Sequence, residues 1–468
     1  MEKLHKEKVL RISEQLKKFY KQKKKVLIYH GTTNSTRRQI FLKDASIDTS
    51  DLNNILSVHP EEQYVITEPN VSMDCLVKAT LLYGLVPPVV MEFPGITVGG
   101  GIQGGAGESS SFKYGTFHHT CLEYEIVLGN GDILTLSPSQ HEDLFFGTAC
   151  SYGSLGVLTK IKLKLIPSKR YVQLTYHRMT SPSETIECLK NRMNKKLDFI
   201  DAILFSNNSG TIMSGIYSDK KKLPIVTFRH AKDDWFYTHA EKITNKHDTW
   251  VELIPLEDYL FRYNRGAFWV GFYPFKKFNI PFNRFTRFIL DPLMKTRVLS
   301  RLLQAINISQ RQIVQDLVLP ENSVLEFLEF IDKTTHIYPI WLLPSISPPG
   351  NDKLSPANIE SDLIIDVGVW GKISGDHGFM IDINKKIESM LDKLGGRKCL
   401  YAHQYYTEEE FWKIHDKAWY DALREKYFAD NVFPDIYEKT HVRERYDFSF
   451  KKGLWEILKS PFKLPVHR

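Results

Sequence analysis

The sequence predicts an α+β chain in two unequal parts. Three features predict it. Short apolar strands alternate with glycine-rich turns through the first third. A strand of alternating Lys160, Ile161, Lys162, Leu163, Lys164 and Leu165 stops at Pro167. Beyond about residue 170 the texture changes: glycine thins and aromatics thicken. The expected division is a basic amphipathic helix at 1–25, a ligand-binding domain at 26–170, and a second α+β domain at 171–468 that closes in a helical segment.

The elements follow in order. Val9, Ile12, Leu16 and Phe19 repeat at helical spacing, so 3–22 reads as an amphipathic helix. Val26–Tyr29 is a short strand running into the polar turn His30-Gly31-Thr32-Thr33-Asn34-Ser35-Thr36-Arg37. A strand at 63–67 precedes a helical stripe through Val71, Cys75, Leu76, Ala79 and Leu82. Residues 124–128 and 133–136 form a hairpin around Gly129-Asn130-Gly131. In the second part, strands are expected at 171–177, 200–205, 211–216, 336–342 and 363–369, with a helical segment at 408–427.

With 468 residues, 42% hydrophobic and 25% charged, the composition is that of a globular protein. Lys and Arg exceed Asp and Glu by seven, and residues 1–25 carry the whole surplus, ten against three. The body is therefore neutral, and nucleic acid is not an expected partner. The basic helix reads as a solvated face, with contact to anionic lipid as the sharper alternative. No apolar run approaches the ~18 residues that span a bilayer, and no apolar leader precedes the body. The expectation is a cytoplasmic protein or one peripheral to a membrane surface. Five scattered cysteines without a CxxC pair argue for a reducing compartment and against zinc.

The chemistry concentrates in Thr97-Val98-Gly99-Gly100-Gly101-Ile102-Gln103-Gly104-Gly105-Ala106-Gly107-Glu108-Ser109-Ser110-Ser111. Six of the nine residues from 99 to 107 are glycine. Backbone free of side chains lies close to a ligand, and converging N–H groups hold an anion. No Gly-Lys-Ser/Thr follows, so this is not a P-loop, and it does not read as the strand-to-helix turn of a dinucleotide fingerprint. A second cluster, Gly153, Ser154, Gly156 and Val157, adds another glycine turn. Together with His30–Arg37 they predict one extended phosphate-bearing ligand.

These stretches, with "YEIVLGNGDILTLSPSQHEDLFFGTACSYGSLGVLTKIKLKLIP" at 124–167, resemble the PCMH-type FAD-binding domain of the vanillyl-alcohol-oxidase flavoproteins. Further on, "VELIPLEDYLFRYNRGAFW" at 251–269, "IVQDLVLP" at 313–320, "IYPIWLLP" at 337–344, "IDVGVWG" at 365–371 and "LYAHQYYTEEEFW" at 400–412 are similar to the Δ24-sterol reductase group. The resemblance implies a two-subdomain FAD-binding domain followed by a substrate (cap) domain. It implies non-covalent FAD along His30–Asn34, Thr97–Ser110 and Gly153–Val157, NADPH as electron donor, and a sterol-like or isoprenoid substrate. In the substrate half, the family's YHRHTR run reads Leu260–Arg265, and its YAD aspartate is His403.

Reducing an isolated alkene takes a hydride and a proton, so an acid is expected near the flavin. The candidates are Tyr263, Arg265, His336, Tyr338 and His403, with Tyr263 and Arg265 first. Aromatics dense over 261–288, interleaved with Lys276, Lys277, Arg284 and Arg287, read either as core or as a membrane contact, and Leu454–Lys463 as a second contact. An alcohol or sugar-lactone oxidase, a non-redox flavin transferase and a degenerate flavin-binding protein remain the alternatives on this fold.

Overall fold

A computed structural model describes residues 1–31, 35–37, 41–193, 196–347 and 352–442. The phosphate-turn candidates Thr32, Thr33 and Asn34 and the C-terminal contact at 454–463 lie outside the described residues.

The first part is built on a five-stranded antiparallel sheet with spatial order Ile55–His59, Tyr64–Thr67, Val157–Lys164, Cys121–Val127 and Ile133–Leu136. The lysines of the central strand alternate out of the core, as their pleat requires. Leu27–Tyr29 and Ser46–Asp48 form a separate parallel pair. Helix Glu2–Lys21 buries Val9, Ile12 and Leu16 against this body. It is also clamped by charge: His5 bridges Glu68 and Glu125, each at 2.9 Å, and Lys8 reaches Glu68 at 3.0 Å.

The second part is an eight-stranded antiparallel sheet beginning at Tyr171. Its order is Thr249–Pro255, Tyr171–Met179, Ser209–Ser218, Phe199–Ser206, Ile340–Ser345, Ile364–Gly371, Ile313–Pro320 and Arg397–Lys398. Helices Pro182–Met193, Glu321–Thr335 and His377–Lys393 cover one face, packing on Ile200, Ala202, Leu317, Ile340, Leu342, Ile365 and Val367. The opposite face, with Phe199, Trp341, Leu343 and Trp370, shares a core with the first part. Residues of alternate parity therefore point at the first domain.

The polypeptide finally returns to where it started. The expected helix at 408–427 is two helices, Glu408–Ile414 and Lys417–Lys426, broken at His415 and Asp416. Asp416 caps the second through Trp419 N at 3.0 Å. This closing segment packs on the first domain, not on the eight-stranded sheet. Tyr420 donates to Ser154 Oγ at 2.7 Å, Arg424 to the Ser154 carbonyl at 2.6 Å, and Val26 N to the Val432 carbonyl at 2.8 Å.

The glycine run departs from its expected form. Val98–Gly104 is a short helix, with Thr97 as N-cap accepting from Gly100 N at 3.1 Å and Gly105 closing it in the left-handed region. Packing overrides the poor helix propensity of glycine. A Cβ on Gly99 would sit 2.7 Å from Pro69 Cβ, and one on Gly101 would sit 2.3 Å from Met91 Cε. Those two glycines answer to neighbouring elements. Gly104, by contrast, meets nothing within 4 Å.

Candidate active site

Three groups of residues line the junction between the two domains. The first is cationic. Gln103 ties the two glycine turns together, accepting from Gly153 N at 2.8 Å and Ser151 Oγ at 3.0 Å. Tyr152 donates to the Gly104 carbonyl at 3.4 Å, and the Arg37 guanidinium lies 5.5 Å from the Tyr152 ring centroid. Lys439 Nζ comes within 3.4 Å of where a Gly153 Cβ would stand. Burial, reinforced by Arg37 and Arg424, pushes the Lys439 ammonium down to about 7. Burial and Lys439 push His30 down to about 4, and its Nδ1 has no hydrogen-bond partner among the described residues. His403 is buried and held down to about 3 by burial, Arg37 and Lys398. A recess where Arg37 and Arg424 act on Lys439, and no carboxylate among the described residues does, suits an anion.

The second group is a buried polar knot at the interface. Arg262, fully buried, reaches Glu108 Oε1 and Asp201 Oδ2, both at 3.0 Å. Asp201 Oδ2 also accepts from Tyr263 OH at 3.1 Å and Trp341 Nε1 at 2.9 Å. Glu108 accepts short hydrogen bonds from Ser109, whose hydroxyl meets Tyr259 OH at 3.1 Å. Ser110 is held by the Pro88 carbonyl at 2.8 Å.

The third group was not read from the sequence. Glu92, Asp316 and Asp366 lie deep in the protein yet keep part of their surface, so they face internal space. Burial raises Glu92 to about 8 and Asp366 to about 7. Burial and Asp366 together raise Asp316 well above the carboxylate range. Tyr401 hydrogen-bonds Asp316, and Trp370 Nε1 donates to Tyr401 OH at 3.3 Å. Aromatic rings wall the same region: Phe268 lies 4.4 Å from Trp370, 5.1 Å from Trp341 and 5.8 Å from Phe93. Residues 400–402 join this group to the cationic recess, since Arg37 donates to the Ala402 carbonyl at 3.0 Å and Ser35 to the Tyr401 carbonyl at 2.7 Å.

The signal for its two aspartates was present, as it was for Asp201. Asp201, Asp316 and Asp366 each stand alone inside an apolar strand, FIDAILF, IVQDLVLP and IIDVGVW. Their sequence neighbours Ile200, Leu317 and Ile365 pack under the helices, so the pleat turns all three aspartates toward the first domain.

Residues 7–137 match the family profile described as the FAD binding domain. The Delta(24)-sterol reductase of Macaca fascicularis is 30% identical over 453 residues, covering 93% of this chain and 86% of that protein. The Delta(24)-sterol reductase homolog dhcr-24 of Caenorhabditis elegans is 32% identical over 465 residues, covering 93% and 87%. The chain belongs to the Δ24-sterol reductase family. The Delta(24)-sterol reductase of Pisum sativum extends the likeness to a plant, at 29% over 436 residues, 84% of this chain and 76% of that one.

As a member of that family the protein is a flavoprotein, and the residues present fit FAD. The recess of His30, Arg37 and Lys439 would suit the pyrophosphate, with the open backbone at Gly104 and the turn at Gly153 beside it. The structure brings Gln103, Gly104, Gly153 and His30 to that recess, while Gly105 closes the glycine helix against Cys150 and Pro356. Glu108 and Ser109 it places in the polar knot, and Ser154 under the closing helices. Gly156 packs on Ile126, where a Cβ would lie 2.7 Å from Cδ1, and Val98 and Val157 are core. A Cβ on Gly107 would touch Leu343 at 3.2 Å.

The five catalytic candidates do not converge. Tyr263 is buried in the knot, stacked on Phe268 at 3.8 Å. Arg265 points away: Nε meets Asp291 at 2.6 Å, and both terminal nitrogens donate to the carbonyls of Asp233 and Ala231 at 2.9 Å. Tyr338 stands beside Asp332 against the helix-covered face, and His336 is exposed at the end of its helix. His403 lines the cationic recess. The family resemblance points to Tyr263, while the buried cation is its neighbour Arg262.

Proposed function

We propose that the protein is an FAD-dependent reductase that saturates a C=C bond in the aliphatic tail of a sterol-like or isoprenoid lipid, with NADPH reducing non-covalently held flavin. The relatives' names supply the reaction class. The observation in this protein that carries the reading is a set of carboxyls kept protonated beside an aromatic-walled space. An isolated alkene has no polar handle, so the protein must offer a proton at one carbon while hydride arrives at the other. Alcohol oxidation needs a base instead, whereas burial favours the protonated form of Glu92.

When bound and reduced, FAD supplies the hydride. The Asp366 charge raises the buried Asp316, so the Asp316–Asp366 pair retains a proton at neutral pH and donates it. Glu92 is the adjoining reserve. Phe268, Trp341 and Trp370 hold an apolar tail and exclude water. Arg262 and Asp201 fix Tyr263 and Trp341, and so shape that wall. His403 stays neutral beside the cofactor recess, Arg265 positions Asp291, and Tyr338 has a packing role.

Anaerobic stopped-flow tests this reading. NADPH should bleach the bound flavin, and a sterol whose aliphatic tail carries a double bond at C24 should restore its colour. Faster recovery with O₂ and peroxide release would make the protein an oxidase. Turnover without net electron flow would make it a transferase, and the lack of any bound chromophore would remove the enzyme reading.

A further inference from the structure

Helix Arg284–Met294 is turned inside out. Its buried positions include two charges, Arg287 paired with Asp234 at 2.5 Å and Asp291 paired with Arg265 at 2.6 Å. Its outward positions are apolar. Phe285, Phe288 and Ile289 are 71%, 55% and 56% exposed, and Pro292 continues the same i, i+3, i+4, i+7 stripe. A surface helix ordinarily does the reverse, and a contiguous apolar stripe in water marks a contact.

The surroundings identify the partner. Residues 271–311 carry eight Lys or Arg and one acid, the internal Asp291. Lys276, Arg284, Lys295 and Arg301 are exposed around the stripe. Aromatic side chains amid a predominantly cationic segment combine apolar insertion with attraction to anionic headgroups. A second copy of the protein would bring this rim against its own like charges. A nucleic acid would leave the three apolar side chains unused.

We infer that the outward face of helix Arg284–Met294, with its basic rim, docks flat on an anionic lipid bilayer. Its purpose rests on the lipid-substrate reading, although its observations do not. Phe282, at the start of this helix, packs on Trp235 at 5.1 Å. Rings continue through Tyr237 and Trp269 to Trp370 at the acid group, with spacings of 6.4, 6.2 and 5.4 Å. The docked face therefore adjoins the aromatic core that borders the proposed alkene site.

Flotation of the holoprotein with vesicles tests the inference. The protein should float with phosphatidylcholine vesicles containing about 30% phosphatidylserine. It should float weakly with phosphatidylcholine alone, and come off at about 0.5 M salt. The variant F285Q/F288Q/I289Q should lose about tenfold or more of this partition, with unchanged flavin absorbance and melting temperature. The milder Phe288→Gln should lose part of it and controls for folding. Equal flotation of the triple variant and the parent, or no flotation of the parent, would overturn the docking face. So would a parent dimer that the triple variant converts to monomer without vesicles. Binding is read without turnover, so a protein that floats as expected but reduces no alkene counts against the reductase and not against this surface.

Discussion

Glu108 Oε1 and Arg262 Nη2 lie 3.0 Å apart where the glycine-rich segment of the first domain meets the eight-stranded sheet. Both side chains are almost wholly buried, and Arg262 also serves Asp201. Arg262 is a shared counter-ion for two carboxylates on different domains. Replacing it by Met leaves two buried acids without their cation. The expected loss is about 3–5 kcal/mol, the usual result of breaking a buried pair from one side. Glu108→Gln should lose distinctly less, because Asp201 keeps its partner. Urea unfolding of both variants checks this, and equal losses would mean that the two carboxylates do not share the arginine as drawn.

The glycines of the first domain divide into two kinds, and substitution separates them. Gly101→Val drives a side chain into Met91 and Phe117, so apoprotein stability should fall by about 1–3 kcal/mol through overpacking. Gly104→Val meets open space. It should leave the apoprotein melt within about 0.5 kcal/mol of the parent while weakening retention of FAD. Denaturation curves of apoprotein beside flavin content after gel filtration distinguish the two. Full flavin in the Gly104 variant would move the cofactor away from this turn.

Much of this was legible in the residue pattern. Apolar stretches marked the strands near 171–177, 200–205 and 363–369, which the sheet carries as Tyr171–Met179, Phe199–Ser206 and Ile364–Gly371. Glycine density marked the segment beside which we propose the cofactor lies. What stayed hidden was set by distant partners. Lys439 lies more than 280 residues after Gly153, and nothing local marks it as part of the recess. Glu92 sits in a short apolar stretch with no period to read. The helical form of Val98–Gly104 depends on Pro69 and Met91 filling the space that its missing side chains leave.

The N-terminal clamp predicts a pH signature. Burial would lower the His5 pKa, but hydrogen bonds to Glu125 and Glu68 outweigh it and raise it. Its contribution is complete below the unfolded value near 6.5 and fades as pH rises through the folded one. Glu125 behaves oppositely. Despite burial, His5 and Lys160 hold it down to about 2, so its share is lost as pH falls from its ordinary value toward 2. His5→Ala should cost about 1–3 kcal/mol at pH 6 and less at pH 9. Melts across that range check it, and a pH-independent loss would reduce His5 to a packing residue.

The proposed acid group should govern one half-reaction only. Asp366→Asn removes the donor while leaving the cationic recess intact. Flavin reduction by NADPH should stay within about twofold of the parent, while reoxidation by the alkene falls about 10²-fold or more. In the parent, reoxidation needs the protonated pair. Its rate should be flat in acid and fall once the pair loses its last proton, above the value of about 7 to which burial has raised the Asp366 carboxyl. Reoxidation that instead rises with pH would call for a base and sink the assignment.

Cofactor affinity should carry its own titration. In the apoprotein Lys439 loses its proton near 7, driven there by burial, Arg37 and Arg424. A pyrophosphate held in the proposed recess would favour the ammonium form, so protonation and FAD binding would favour each other. FAD should therefore bind the apoprotein most tightly below pH 7. Its Kd should rise about tenfold per pH unit above that, until the value of Lys439 in the complex is reached. Lys439→Met should weaken FAD at pH 6 and remove this slope, whereas Gly101→Val should keep the slope. Fluorescence quenching of FAD from pH 6 to 9 measures both. A parent Kd independent of pH over that span would mean that Lys439 does not face the phosphates.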